Sequence, residues 1–143
     1  MSDDTVPSWV LDTNVIISGL LNPHGCPGRL LDMALARALR LTYDDRIEAE
    51  YREVMARDRF SISRERRESF LAILRFQDSV TALPWKTALP PDPDDLMFLE
   101  VALSAAKQTL VTGNARHFPP ACRGPVRILT PAEAWRELTG KTG

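Results

Sequence analysis

This 143-residue chain has few cysteines, histidines and lysines, and each scarcity excludes something. Cys26 and Cys122 stand far apart, in no CxxC pattern and with no histidines at ligand spacing. That argues against a zinc site and a disulfide framework, and the two read as small core or loop residues in a reducing compartment. There is no glycine-rich phosphate loop and no Gly-x-Ser-x-Gly elbow, so the common nucleotide-binding and serine-hydrolase fingerprints are missing. No uninterrupted apolar run approaches membrane-spanning length, and Met1-Ser2-Asp3-Asp4 is acidic where a secretory signal is basic; the expectation is a cytoplasmic protein with no membrane partner. Neither sign of charge dominates. With 18 Lys+Arg against 19 Asp+Glu the net charge is −1, and no global field draws the chain onto nucleic acid. Lysine is confined to Lys86, Lys107 and Lys141. The other cations are arginines, whose planar fork suits phosphate, although genomic base composition produces the same bias.

What is present is a soluble globular composition, 44% apolar and 26% charged, long enough for one domain over 1–143 with tails expected at 1–7 and 140–143. The stretch from Trp9 to Leu21 organises the rest. It runs apolar, stops on Asp12, and resumes with helical spacing through Ile16, Ile17, Leu20 and Leu21, with Asn14 suited to cap that helix. A buried strand that ends on an acid presents it at the edge of a parallel sheet, where ligands bind; the same residues also suit a plain turn and cap. Helical patterns then recur at Leu30–Ala38, from Asp45 to about Met55, after a Ser63 cap, over Pro93–Lys107, and after the Thr130–Glu133 capping box. Strands are expected at Leu39–Tyr43, around Val80–Leu83, at Thr109–Thr112 and at Val126–Leu129, with loops at 22–28 and 113–125. Alternation of this kind implies an α/β fold with a mostly parallel sheet covered on both faces. The helix at 93–107, apolar on nearly every side, is expected to lie buried between layers.

Beyond Asp12, acids gather at two further stations. Asp92-Pro93-Asp94-Asp95 opens the apolar helix. Asp92 suits a cap, while Asp95 shares a face with Phe98, Leu99 and Ala102 and points toward the sheet. In the helix with Glu48, Glu50 and Glu53 the apolar face centres on Tyr51, which leaves Glu53 on the solvent side and Glu48 and Glu50 at the two edges, undecided by position. Thr112-Gly113-Asn114 adds a polar turn at a strand end. Oxygen-bearing side chains at strand ends and helix starts fit a hard cation such as Mg²⁺ or Mn²⁺.

Four segments taken together, Leu11-Asp12-Thr13-Asn14-Val15, Ile47 to Val54, Asp92 to Phe98, and Val111-Thr112-Gly113-Asn114 with His117-Phe118, resemble PIN-domain proteins, specifically those described as toxins of toxin–antitoxin systems. The resemblance implies a three-layer α/β/α sandwich whose acids bind Mg²⁺ or Mn²⁺ and hydrolyse RNA. It places the family acids on Asp12, Glu50 and Asp95, gathered within one ion's reach, and so selects Glu50 over Glu48. Many members carry an aspartate where this chain has Asn114, which puts a second tightly held ion in doubt.

The resulting expectation is a metal-dependent endoribonuclease. Asp12 and Asp95 would bind the ion, Glu50 would hold it or its water, and Asn114 would orient a water or ligand. Thr13, Asn14, Ser18 and Thr112 would supply supporting hydrogen bonds. Three clustered carboxylates repel one another, so at least one is expected above its ordinary pKa without metal. Arg116 is the expected phosphate contact; the Arg57–Arg67 segment is another candidate, or else a solvated helix face on which Arg64 pairs with Glu68. The resemblance also implies a protein antitoxin and a homodimer. The alternatives are a catalytically weak PIN fold serving as a binding module, kept open by Asn114, and a phosphatase of the haloacid dehalogenase type. The latter needs a second aspartate where Asn14 stands.

Overall fold

The apolar runs of the sequence become strands because they are short and flanked by turn-forming residues. In the computed structural model, which describes residues 6–140, they form β1 (Ser8–Leu11), β2 (Arg40–Tyr43), β4 (Thr109–Val111) and β5 (Arg127–Leu129), joined by a fifth, polar strand, β3 (Asp78–Ser79). The sheet order is β3-β2-β1-β4-β5 and every neighbouring pair is parallel, so the mostly parallel sheet is wholly so. Trp9, Val10, Leu11, Leu110 and Val111 are essentially inaccessible, as strands covered on both faces must be.

Among the described residues six helices cover it: α1 (Thr13–Leu21), α2 (Cys26–Leu35), α3 (Asp45–Met55), α4 (Arg64–Leu74), α5 (Leu96–Ser104) and α6 (Pro131–Thr139). Right-handed crossovers put the helices after β1 and β2 on one face, while the return from β3 to β4 carries α5 across the other. α2 packs against both α1 and α6, and α5 lies against β1, β2 and β4 while also meeting α3. This is the α/β/α sandwich, and it explains why α5 is apolar all round. The chain leaves β1 in one direction toward β2 and β3 and returns on its other side to β4. The carboxyl ends of β1 and β4 therefore flank the point where strand order reverses, the place where open α/β sheets form a crevice. No helix among the described residues is long and apolar enough to cross a membrane.

Several expectations shift. The third strand falls on Asp78–Ser79 and not around Val80–Leu83, because polar side chains hold it: Ser8 Oγ donates to Asp78 Oδ2 at 2.7 Å, Arg40 pairs with Asp78 at 2.8 Å, and the Leu41 N–H donates to Gln77 Oε1. α2 begins inside the expected loop, since Pro27 sits in its first turn, where a missing N–H costs nothing. The first turn of the expected 93–107 helix is a 3-10 turn, Pro93–Asp95, and the helix ends at Ser104. Leu21, expected inward, is exposed. Asn14 lies within α1 and does not cap it; Asp12 holds the cap position. Of the expected tails, residues 1–5 and 141–143 lie outside the described residues; Pro7 is held by the Arg40 N–H on its carbonyl, and Gly140 takes the left-handed turn that ends α6.

Candidate active site

Asp12 follows the last residue of β1 and its backbone N–H donates to Val111 O of β4 at 2.8 Å, which ties the acid to the strand-reversal crevice. An aspartate at a helix start ordinarily accepts the backbone N–H of the second or third helical residue. Asp12 makes no such capping bond; its buried carboxylate instead accepts the Thr112 hydroxyl at 2.8 Å and, more loosely, the Asn14 amide at 3.4 Å. Asn14 reaches back across the crevice, where its Oδ1 accepts the Gly113 N–H at 2.9 Å. A Cβ at Gly113 would stand 3.2 Å from that same oxygen, so a side chain there would crowd the contact.

Glu50 comes from the middle of α3, where its carboxylate accepts the hydroxyl of Thr13. Tyr51, fully buried beside it, donates to the carbonyl of Leu11 and meets Phe70 edge-on, fastening α3 to the end of β1. Asp95 stands at the start of α5, also without a capping bond, its side chain only 13% exposed and its Oδ2 buried with no hydrogen-bond partner. His117 Nδ1 is the nearest cation-forming group, 3.7 Å away. The amino ends of α1 and α5 thus both open on the crevice, bringing their positive dipole ends to bear on negative charge there.

The electrostatics tie the three acids together. Asp95 titrates at about 6, raised chiefly by burial, then by Asp12 and Asp92, with Glu50 adding to it and His117 opposing. Asp12 is raised by burial as well, offset by the Thr112 hydroxyl and the Thr13 amide and pushed up again by Glu50. The expected upward shift is therefore present, but desolvation leads and mutual repulsion follows. Among the described residues no three His, Cys, Asp or Glu side chains close tightly enough to hold an ion, which departs from the expected triad. Asp12 and Glu50 each accept a hydroxyl instead of converging directly. A hard cation fits this donor set nonetheless: all its donors are oxygens, two of the acids are held above their ordinary range, and one buried carboxylate oxygen is unpartnered.

Other candidates lie outside. Glu48 pairs with Arg52 at 2.8 Å and Glu53 with Arg57 at 3.0 Å along the exposed side of α3. Ser18 is exposed on α1 and its hydroxyl bonds none of the described acids. Arg116 is exposed in the 3-10 turn Ala115–His117 and pairs with none of them. In the Arg57–Arg67 segment Arg64 pairs with Glu68 at 3.1 Å and Arg59 stacks over Phe60, so part of it is a solvated face. Sequence reasoning quoted His117 without a role, and its partner Asn114, three residues earlier in a polar turn, was the available signal.

Compared with protein families, residues 8–116 match the PIN domain. Neither the curated proteins nor the solved structures compared with the chain include a match. PIN domains are generally nucleases and usually use divalent metals. With the match spanning the three acids, the Asn114 turn and four complete strands, this chain belongs to the PIN-domain family.

Proposed function

We propose that the protein is a Mg²⁺- or Mn²⁺-dependent endoribonuclease, the toxin of a toxin–antitoxin pair. The observation that carries the metal-dependent part of this reading is Asp95 Oδ2, an unpartnered carboxylate oxygen buried beside Asp12 at the strand-reversal crevice. Asp12 and Asp95 would hold the ion, with Glu50 holding it or its water. Once bound, it supplies an activated water and offsets charge building on the phosphoryl oxygens. Thr112 and Thr13 keep the Asp12 and Glu50 carboxylates in place by donating to them. The helix starts of α1 and α5 favour the negative substrate, and Arg116 reaches a neighbouring phosphate. Since Asn114 brings no charge, hydrolysis with one resident ion is favoured. The toxin role, the antitoxin, a homodimer and a cytoplasmic setting come with the family resemblance. Purified wild type and Asp12→Asn compared for Mn²⁺-dependent RNA cleavage test the reading; equal cleavage by both would sink it.

Asn114 also supports a second reading, a catalytically weak module whose crevice serves a partner. Calorimetry separates the two: an antitoxin-free protein that takes up no Mn²⁺ is the binding module.

A further inference from the structure

Asp12 and Asp95 are joined through a third residue, Asn114. Its backbone N–H donates to Thr112 Oγ1 at 3.1 Å, and the Thr112 hydroxyl donates onward to Asp12 Oδ2 at 2.8 Å. Its side-chain Nδ2 lies 3.0 Å from His117 Nε2. An amide N–H can only donate, so Nε2 accepts, and the neutral ring carries its proton on Nδ1. That nitrogen stands 3.7 Å from Asp95 Oδ2, the buried oxygen with no hydrogen-bond partner. Donors thus run outward from Asn114 in both directions, toward Asp12 and toward Asp95. An aspartate at 114 would keep the first branch and break the second. In the neutral ring it would require a proton on Nε2 and would turn the Nδ1 lone pair toward the Asp95 carboxylate, setting two acceptors face to face.

We propose that His117 is a positioning residue, held by Asn114 in the Nδ1–H tautomer so that it braces Asp95 relative to Asp12, and that asparagine stands at 114 as the donor this brace needs. Phe118, fully buried next to it, anchors the turn, while the half-exposed imidazole can be replaced without emptying the core. The consequence for catalysis rests on the nuclease reading above; the brace itself does not.

The chain has two histidines, and His24 is exposed, so His24→Gln leaves one imidazole to observe. Long-range ¹H–¹⁵N correlation spectra of the metal-free protein, taken at alkaline pH where free imidazole is neutral, report its tautomer. The expected result is Nδ1–H in H24Q and Nε2–H in H24Q/N114D; an Nε2–H parent, or the same tautomer in both, overturns the brace. By calorimetry His117→Phe should weaken Mn²⁺ binding about tenfold or more, and with an RNA substrate it should lower kcat more than it changes KM. Unchanged Mn²⁺ affinity and kcat would overturn the bracing role. A parent protein that neither binds Mn²⁺ nor cleaves RNA defeats the nuclease reading instead, and the tautomer pair still decides the brace.

Discussion

Two kinds of helix start coexist in this molecule. At α3, α4 and α6 the residue in the cap position does what its chemistry allows: Asp44 accepts the Ile47 N–H, Ser63 the Arg66 N–H, and Thr130 forms a reciprocal capping box with Glu133. At α1 and α5 the cap positions hold Asp12 and Asp95, and neither makes that bond: Asp12 has the extended backbone of a cap, while Asp95 is already helical at the end of a 3-10 turn that Asp92 caps. Their carboxylates turn into the crevice, where burial raises the pKa of each, that of Asp95 to about 6. The difference separates acids that stabilise the fold from acids that cost it something, and the second kind is where chemistry is to be sought.

The sharpest way to break this contrast is to neutralise one acid of each kind. Asp12→Asn should reduce Mn²⁺-dependent RNA cleavage by about a thousandfold, the scale of several kcal/mol of lost charge stabilisation. It should also leave the metal-free melting temperature unchanged or higher and abolish the Mn²⁺-induced rise expected of wild type. Asp44→Ala should do the reverse. It removes the α3 cap and the 2.8 Å pairing with Arg46, for a loss of about 2 kcal/mol in denaturant unfolding, while the folded fraction keeps its cleavage rate and its Mn²⁺ shift.

Asp95 sharpens the contrast through pH. Its pKa is 3.8 when unperturbed and about 6 when folded, so the folded state holds the proton more tightly. Its contribution is therefore most favourable below about pH 4 and declines as pH rises to about 6. Relative to wild type, Asp95→Asn should be stabilised above that window by on the order of 2 kcal/mol without metal, and the gap should close in acid. Because the ion needs the ionised acid, apparent Mn²⁺ affinity of wild type should fall about tenfold per pH unit below about 6; affinity flat from pH 5 to 7 would remove Asp95 from the ligand set. The smallest effect belongs to an ordinary cap: Ser63→Ala should cost about 1 kcal/mol and leave cleavage untouched.

Much of this arrangement was legible in the sequence. The strand ending on Asp12, the Ser63 cap, the Thr130 capping box and the buried helix after Asp92 each follow from local periodicity and cap chemistry, and the structure has them. β3 was legible only to within a few residues, because a two-residue edge strand held by Ser8, Arg40 and Gln77 carries no apolar alternation. Pro27 was misread as loop because a proline in a first turn looks the same in sequence as one in a turn. At the site, helical phase narrowed the α3 acids to Glu48 and Glu50 but could not separate them. The separation depends on Thr13 facing Glu50, a matter of tertiary placement; the pairing of Glu48 with Arg52 one turn on is local but does not by itself exclude Glu48 from a site. Ser18 looked equivalent to Thr13 and Thr112 as a hydroxyl donor, yet its position on α1 turns it to solvent.

The pairing of β1 with β4, Val10 against Leu110 and Leu11 against Val111, also sets a clock. The strand that carries Asp12 is made first, but the strand that supplies Thr112, and with it the hydrogen bond that aims the carboxylate, is made about 100 residues later. At synthesis rates of about 5–20 residues per second that is an interval of about 5–20 s. Glu50 and then Asp95 are added during it, but there is no crevice yet in which to assemble them with Asp12. Long-range parallel pairing closes slowly and only once both partners exist. A nascent or prematurely terminated chain lacking β4 therefore has neither the second wall of this crevice nor the hydroxyl that aims Asp12.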